Sequence, residues 1–176
     1  MLLSLTACGK DKAKDSNLIK LGDCELLYKS ACIMEDSDGN DAIVLTLDFT
    51  NNGKENASYL WSVDETLMQN GTELEVATVF LDYDSFESAV DSQFKDVAPG
   101  ATLEVRTAYL LQDTSSPVEV TFEQIFGKKS GKIIIDPSTL SREAAAGVDQ
   151  TDVGRLTTPT GTGDTLLDWW NGEWYG

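Results

Sequence analysis

The feature that most constrains this chain is the spacing of its apolar residues, which recur every second position and not every third or fourth. In Ala42-Ile43-Val44-Leu45-Thr46-Leu47-Asp48-Phe49-Thr50, the odd positions Ile43, Leu45, Leu47 and Phe49 form one unbroken apolar face. The even positions end in Thr46, Asp48 and Thr50. Side chains alternate between the two faces of an extended chain, so this pattern predicts a half-buried strand. Tyr59, Trp61 and Val63 alternate with Ser58 and Ser62; Leu103, Val105 and Tyr109 with Glu104 and Arg106; Val118, Val120 and Phe122 with Glu119, Thr121 and Glu123. Glu73 to Leu81 and Lys132 to Ile135 read as further strands, and Leu21 to Met34 as one long strand or two with a kink.

Turn residues punctuate these segments: Asp36-Ser37-Asp38-Gly39-Asn40, Asn51-Asn52-Gly53, Asn70-Gly71, Pro99-Gly100, Ser115-Ser116-Pro117 and Gly127 to Gly131. Gly and Asn accept left-handed backbone, and Pro fixes φ at a turn. About seven strands without intervening helices predict an all-β fold, an antiparallel β-sandwich. Phe86, Val90 and Phe94, at i, i+4 and i+8, allow one short helical excursion within Asp82 to Ala98.

Composition excludes several activities. The chain of 176 residues has 13 Lys and Arg against 30 Asp and Glu, a net charge of −17, and no histidine. Such an acidic chain cannot hold nucleic acid by bulk electrostatics. Without histidine there is no Ser-His-Asp triad, Cys-His pair or His-based metal site. Hydrophobic residues make up 41% of the chain, too many for a disordered acidic segment. The charge is also unevenly placed: +2 over residues 9–20, −14 over 21–142 and −5 beyond.

Leu5-Thr6-Ala7-Cys8 resembles the bacterial lipobox, with Leu at −3, a small residue at −1 and Cys at +1. That resemblance implies that Cys8 is lipidated after cleavage before it, and that a lipid anchor holds the protein at the extracytoplasmic face of the cell membrane. A secretory signal has a basic start and about 7 to 15 apolar residues, whereas here seven uncharged residues precede Cys8. Residues 1–7 are therefore expected to be a signal truncated at its front. Residues 8–20, with Lys10, Lys12, Lys14 and Lys20, read as a flexible tether beside an anionic leaflet.

The body carries Leu21-Gly22-Asp23, Asp38-Gly39-Asn40-Asp41-Ala42, Asp48-Phe49-Thr50-Asn51-Asn52, Val97-Ala98-Pro99-Gly100-Ala101-Thr102 and Asp113-Thr114-Ser115-Ser116-Pro117-Val118-Glu119-Val120. Together these resemble the immunoglobulin-like domain of unknown function found in Gram-positive lipoproteins, itself similar in fold to a secreted mycobacterial immunoprotective antigen. The resemblance spans residues 21–137 and implies an immunoglobulin-like β-sandwich of about seven strands. Its signatures are turns and strands, and it implies no enzyme activity.

After Pro137 the composition shifts. Ser141-Arg142-Glu143-Ala144-Ala145-Ala146-Gly147 predicts a short helical turn within residues 138–164, followed by a Thr- and Gly-rich linker. Residues 165–176 end in Trp169-Trp170-Asn171-Gly172-Glu173-Trp174-Tyr175-Gly176. Three Trp and one Tyr are costly to leave in solvent. The segment resembles the opening of a β-barrel-like domain common after such linkers, so it reads as the aromatic start of a missing second domain, or else as a binding tail. Cys24 and Cys32 share parity; on one straight strand they lie about 26 Å apart, too far for a disulfide.

Counted from Asp36, an EF-hand would need Gly at position 41 and Glu at 47, where Asp41 and Leu47 stand; a looser Ca²⁺ site remains open. Carboxylates are abundant enough for a two-acid glycosidase, but most fall in turns or on outward strand positions. Gly127-Lys128-Lys129-Ser130-Gly131 lies in a hairpin, not in the strand-to-helix turn of a phosphate loop. The reading is a non-catalytic binding or interaction module at the envelope, needing no cofactor and meeting a protein or glycan. The alternative is an envelope carbohydrate-active enzyme or a Ca-dependent module.

Overall fold

The computed structural model describes residues 17–146. Cys8, the tether to Ser16, the linker and the Trp-rich segment lie outside these residues. The described residues form ten strands: β1 (Leu18–Leu21), β2 (Cys24–Glu35), β3 (Asp41–Asn51), β4 (Val63–Gln69), β5 (Thr72–Glu73), β6 (Phe80–Asp82), β7 (Glu87–Ser88), β8 (Thr102–Leu110), β9 (Val118–Gln124) and β10 (Ser130–Ile135). One helical turn, α1 (Tyr59–Ser62), precedes β4, and single 3-10 turns cover Asp91–Phe94 and Pro137–Thr139.

Every pairing between these ten strands is antiparallel. One sheet runs β1-β2-β3-β8, the other β10-β9-β4-β5, and β6-β7 is a separate hairpin. The inward faces meet in one core: Leu26, Ile43, Leu45, Leu47, Phe49 and Val105 from the first sheet, and Val63, Leu67, Val118, Val120 and Phe122 from the second. The molecule is an all-β antiparallel sandwich, as the alternation predicts, and Ile43, Leu45, Leu47 and Phe49 of β3 are fully buried.

Both lateral openings are closed. On one side β1 meets β10 so closely that a Cβ on Gly131 would collide with the Ile19 side chain. On the other side the chain leaves β5 and crosses to the free edge of β8, where Leu110 N–H donates to the Glu75 carbonyl and Ala77 N–H to the Ala108 carbonyl. Covering an edge in this way removes a template for aggregation. The segment then folds over the outer face of the first sheet, where Val79 and Ala89 pack on Met34, Ala42, Val44 and Ala108 in a second, smaller core. Val44 and Ala42 are thus buried although they lie on the outward face of β3.

Four expectations are corrected. Residues 59–61 are not strand: they form α1, which sends Tyr59 into the core and leaves Trp61 77% exposed. Glu73 to Leu81 is not one strand; only its two ends pair regularly, because the chain must pass from one sheet to the other between them. Phe86, Val90 and Phe94 share no helix. Phe86 sits at φ +55° in the β6-β7 turn, only Asp91–Phe94 is helical, and Phe86 and Phe94 are 72% and 63% exposed. Ser141 to Ala146 is extended and not helical: Glu143 N–H donates to the Ile33 carbonyl, Ile33 N–H to the Ser141 carbonyl and Ala146 N–H to the Leu81 carbonyl. Pairing with open strand edges outweighs the helix propensity of three alanines.

The first extended stretch is two strands turned at Gly22, φ +68°. A bulge then inserts Lys29, since Tyr28 faces Leu47 while Ser30 faces Thr46. An extra residue reverses side-chain parity. Cys24 accordingly packs in the main core and Cys32 against the second one, on opposite faces of one strand. Both thiols are free.

Candidate functional site

At one end of the sandwich the turn after β1, the loop from β3 to α1, and the end of β9 enclose an open cleft of about 640 Å³. Its floor includes Leu21, Cys24, Ala57 and Ile125, and its rim carries Asn52, Lys54, Asn56, Trp61 and Gln124. The volume falls in the roughly 300–1,000 Å³ range usual for small-ligand sites. β1 runs from Leu18 toward this end, pairing Leu18 with Leu27 and Leu21 with Cys24.

The cleft is held open by a buried asparagine. Asn51 Nδ2 donates to the carbonyls of Glu55 and Val97, each at 2.8 Å, and Asn51 Oδ1 accepts the Gly53 N–H at 2.9 Å. One fully satisfied amide therefore ties the loop to the segment beyond the 3-10 turn, which the Ala57–Val97 bridge reinforces. Trp61 stands on an equally fixed base. The Tyr59 ring meets Phe49 edge-on at 5.9 Å, Ser62 Oγ donates to the Ser58 carbonyl at 2.7 Å, and Ile125 N–H donates to the Ser62 carbonyl. The backbone beneath the exposed indole is thus anchored on both sides.

A second polar feature lies inside the sandwich. Glu65 points inward from β4 toward β8. The Tyr59 hydroxyl donates to it at 2.8 Å and Thr107 Oγ1 at 3.1 Å, while the Tyr109 hydroxyl stands 3.5 Å from the Glu65 carbonyl. Burial pushes the Glu65 carboxyl up to about 7, and the hydroxyl donors only partly offset it. Burial, then the neighbouring Glu65, raises Tyr59 and Tyr109 well above the usual phenol value.

The acidic turn is a folded hairpin. Asp36 accepts the N–H groups of Asp38 and Asn40 at 3.0 and 2.7 Å, and Gly39 takes φ +82°. Burial alone would raise Asp36, but those N–H groups hold it below its ordinary value. Asp41, beside it, is engaged by Arg142. Among the described residues no three His, Cys, Asp or Glu side chains assemble as a metal cage. Burial, with Asp23 and Glu25 adding repulsion, pushes the Cys24 thiol up to about 11; burial and Glu143 do the same for Cys32. Neither is a reactive thiolate at neutral pH.

Of the sequence-derived residues, Cys8 lies outside the described region. Asn51, Asn52 and Gly53 were legible as a turn. Trp61 was not legible as a rim residue, because its alternation with Tyr59 and Val63 imitates a core strand. Glu65 carried no signal beyond an odd position flanked by Val63 and Leu67.

Fold and cleft define a class: an antiparallel β-sandwich presenting a rigid polar cleft at one end. Residues 8–124 match the family model described as a domain of unknown function, DUF5067, and the chain belongs to that family. No curated protein matches it in sequence. Among solved structures it is similar to a Staphylococcus aureus protein described as a "putative lipoprotein", with 16% identity and a TM-score of 0.55, covering 73% of this chain and 99% of that one. At that identity the likeness concerns the fold.

Proposed function

We propose that the chain is an exported lipoprotein, anchored through Cys8 at the extracytoplasmic face of the membrane, whose sandwich is a non-catalytic binding module. The observation that carries the binding role is the Trp61 cleft, a preorganised concave rim at the end toward which β1 runs. The anchor rests on the lipobox Leu5-Thr6-Ala7-Cys8, and the S. aureus neighbour's description as a lipoprotein supports it. The strand order also favours an immunoglobulin-like topology. β2, β3 and β8 take the places of strands A, B and E, and β4, β9 and β10 those of C, F and G. Such sandwiches serve many binding roles, with specificity set by the loops at their ends.

Two measurements test the reading. Fatty-acid labelling should modify the wild-type chain and spare Cys8→Ser; equal labelling of both would remove the anchor. The full chain bearing Cys8→Ser, added to isolated cell envelopes, should bind saturably; binding that never saturates would end the module reading.

A further inference from the structure

We propose, resting on the binding-module reading, that the Trp61 cleft is a subsite for a neutral oligosaccharide. Trp61 is 77% exposed, while Tyr59, two residues earlier, is in the core. An indole is the largest apolar side chain, and leaving it in water on a fixed base forgoes burial unless a ligand covers it. Among the described residues it makes no ring contact. Its immobile base also means that little conformational freedom is lost when a ligand covers it.

The chemistry around the indole narrows the ligand. Asn52, Asn56 and Gln124 line the cleft. Each amide offers two donors and a carbonyl acceptor. Hydroxyl groups of a sugar are donors and acceptors at once and match that set, while the C–H face of the ring stacks on the indole. The charge of the site disfavours anionic polymers. Asp23, Lys54 and Glu55 all line the cleft, two acidic groups to one basic, on a chain of net charge −17, so a phosphate or sulfate polymer meets repulsion.

The test is calorimetric titration of the full chain with N-acetylglucosamine hexamer and cellohexaose, with dextran sulfate as the anionic probe. At least one neutral oligomer should bind with a Kd of about 1 mM or tighter. Trp61→Ala should weaken that binding about tenfold at an unchanged melting temperature, since the side chain is exposed. Neither oligomer binding at about 10 mM, binding untouched by Trp61→Ala, or dextran sulfate binding best would each overturn the proposal. The envelope assay separates this inference from the reading beneath it. Saturable envelope binding that survives Trp61→Ala rejects the cleft and keeps the module. Envelope binding lost on Trp61→Ala but also abolished by protease treatment of the envelopes assigns the cleft to a protein and rejects the glycan.

Discussion

Arg142 grips Asp41 through two parallel bonds, Nη1 to Oδ1 and Nη2 to Oδ2, each 2.6 Å, joining residues 101 positions apart. The pair clamps the last described segment onto the start of β3. The Arg142 guanidinium, by hydrogen bond and charge, holds the Asp41 carboxyl below its ordinary value. Planar two-point pairing is the form of ion pair that adds geometric definition.

Arg142→Ala should therefore loosen the strap and spare the sandwich. Amide exchange at Ile33 and Glu143, whose N–H groups bond across the strap, should accelerate about tenfold or more, with Val120 unchanged. Unaltered exchange at both residues would show that the backbone pairing holds without the clamp.

Glu65 sets a pH dependence. Its folded value of about 7 lies above the ordinary 4.5, so between those two pH values the folded protein keeps a proton that the unfolded chain has released. Stability from this group consequently falls as pH rises through that window. Asp36, Asp41 and Glu104, all held below their ordinary values, act oppositely and lose their contribution as pH falls below about 4. Glu65→Gln should flatten the slope between pH 4.5 and 7 and stabilise the fold at pH 8 by about 1–3 kcal/mol. A variant less stable than wild type at pH 8 in denaturant melts would contradict the assignment.

Gln69 is buried and holds the loop between β8 and β9. Its Nε2 donates to the carbonyls of Asp113 and Ser116, each at 2.8 Å, and its Oε1 accepts the Gln112 N–H at 2.8 Å. Gln69→Leu would strand three backbone groups. We expect a loss of about 2–4 kcal/mol by urea unfolding. A loss under about 1 kcal/mol would mean that water replaces the amide.

Asn51 is the corresponding residue at the cleft end. Asn51→Ala should cost about 2–3 kcal/mol and raise the mobility of residues 52–57. Retained ordering of that loop by NMR relaxation would show that the Ala57–Val97 bridge is sufficient.

Much of the core was readable because burial on one face imposes period two. The odd residues of β3 and Val118, Val120 and Phe122 of β9 needed no tertiary knowledge. The misreadings share one cause: a short segment whose pairing partner is distant. Tyr59-Leu60-Trp61-Ser62 satisfies a strand template, but α1 forms there, and Tyr59 packs on Phe49 and donates to Glu65 across the core. Phe86 and Phe94 satisfy a helical template, but they share no element: Phe86 meets the edge of Phe80 from the β6-β7 turn and Phe94 stays exposed. The candidate site was half legible. Asn51-Asn52-Gly53 announced a turn, whereas nothing local marked Trp61 as exposed or Asn51 as buried.

The sequence by itself determined the layer and its sign: alternation made extended, half-buried strands, turn residues separated them, and the missing histidines removed several catalytic classes. Tertiary structure decided what alternation cannot encode. The Lys29 bulge sent Cys24 and Cys32 to opposite faces, the segment after β5 crossed between sheets to close an edge, and Ser141 to Ala146 became a strap. The reason is physical. Parity is a local property of each strand, whereas which edge is open, and which residue must fill it, exists only once the two sheets have met.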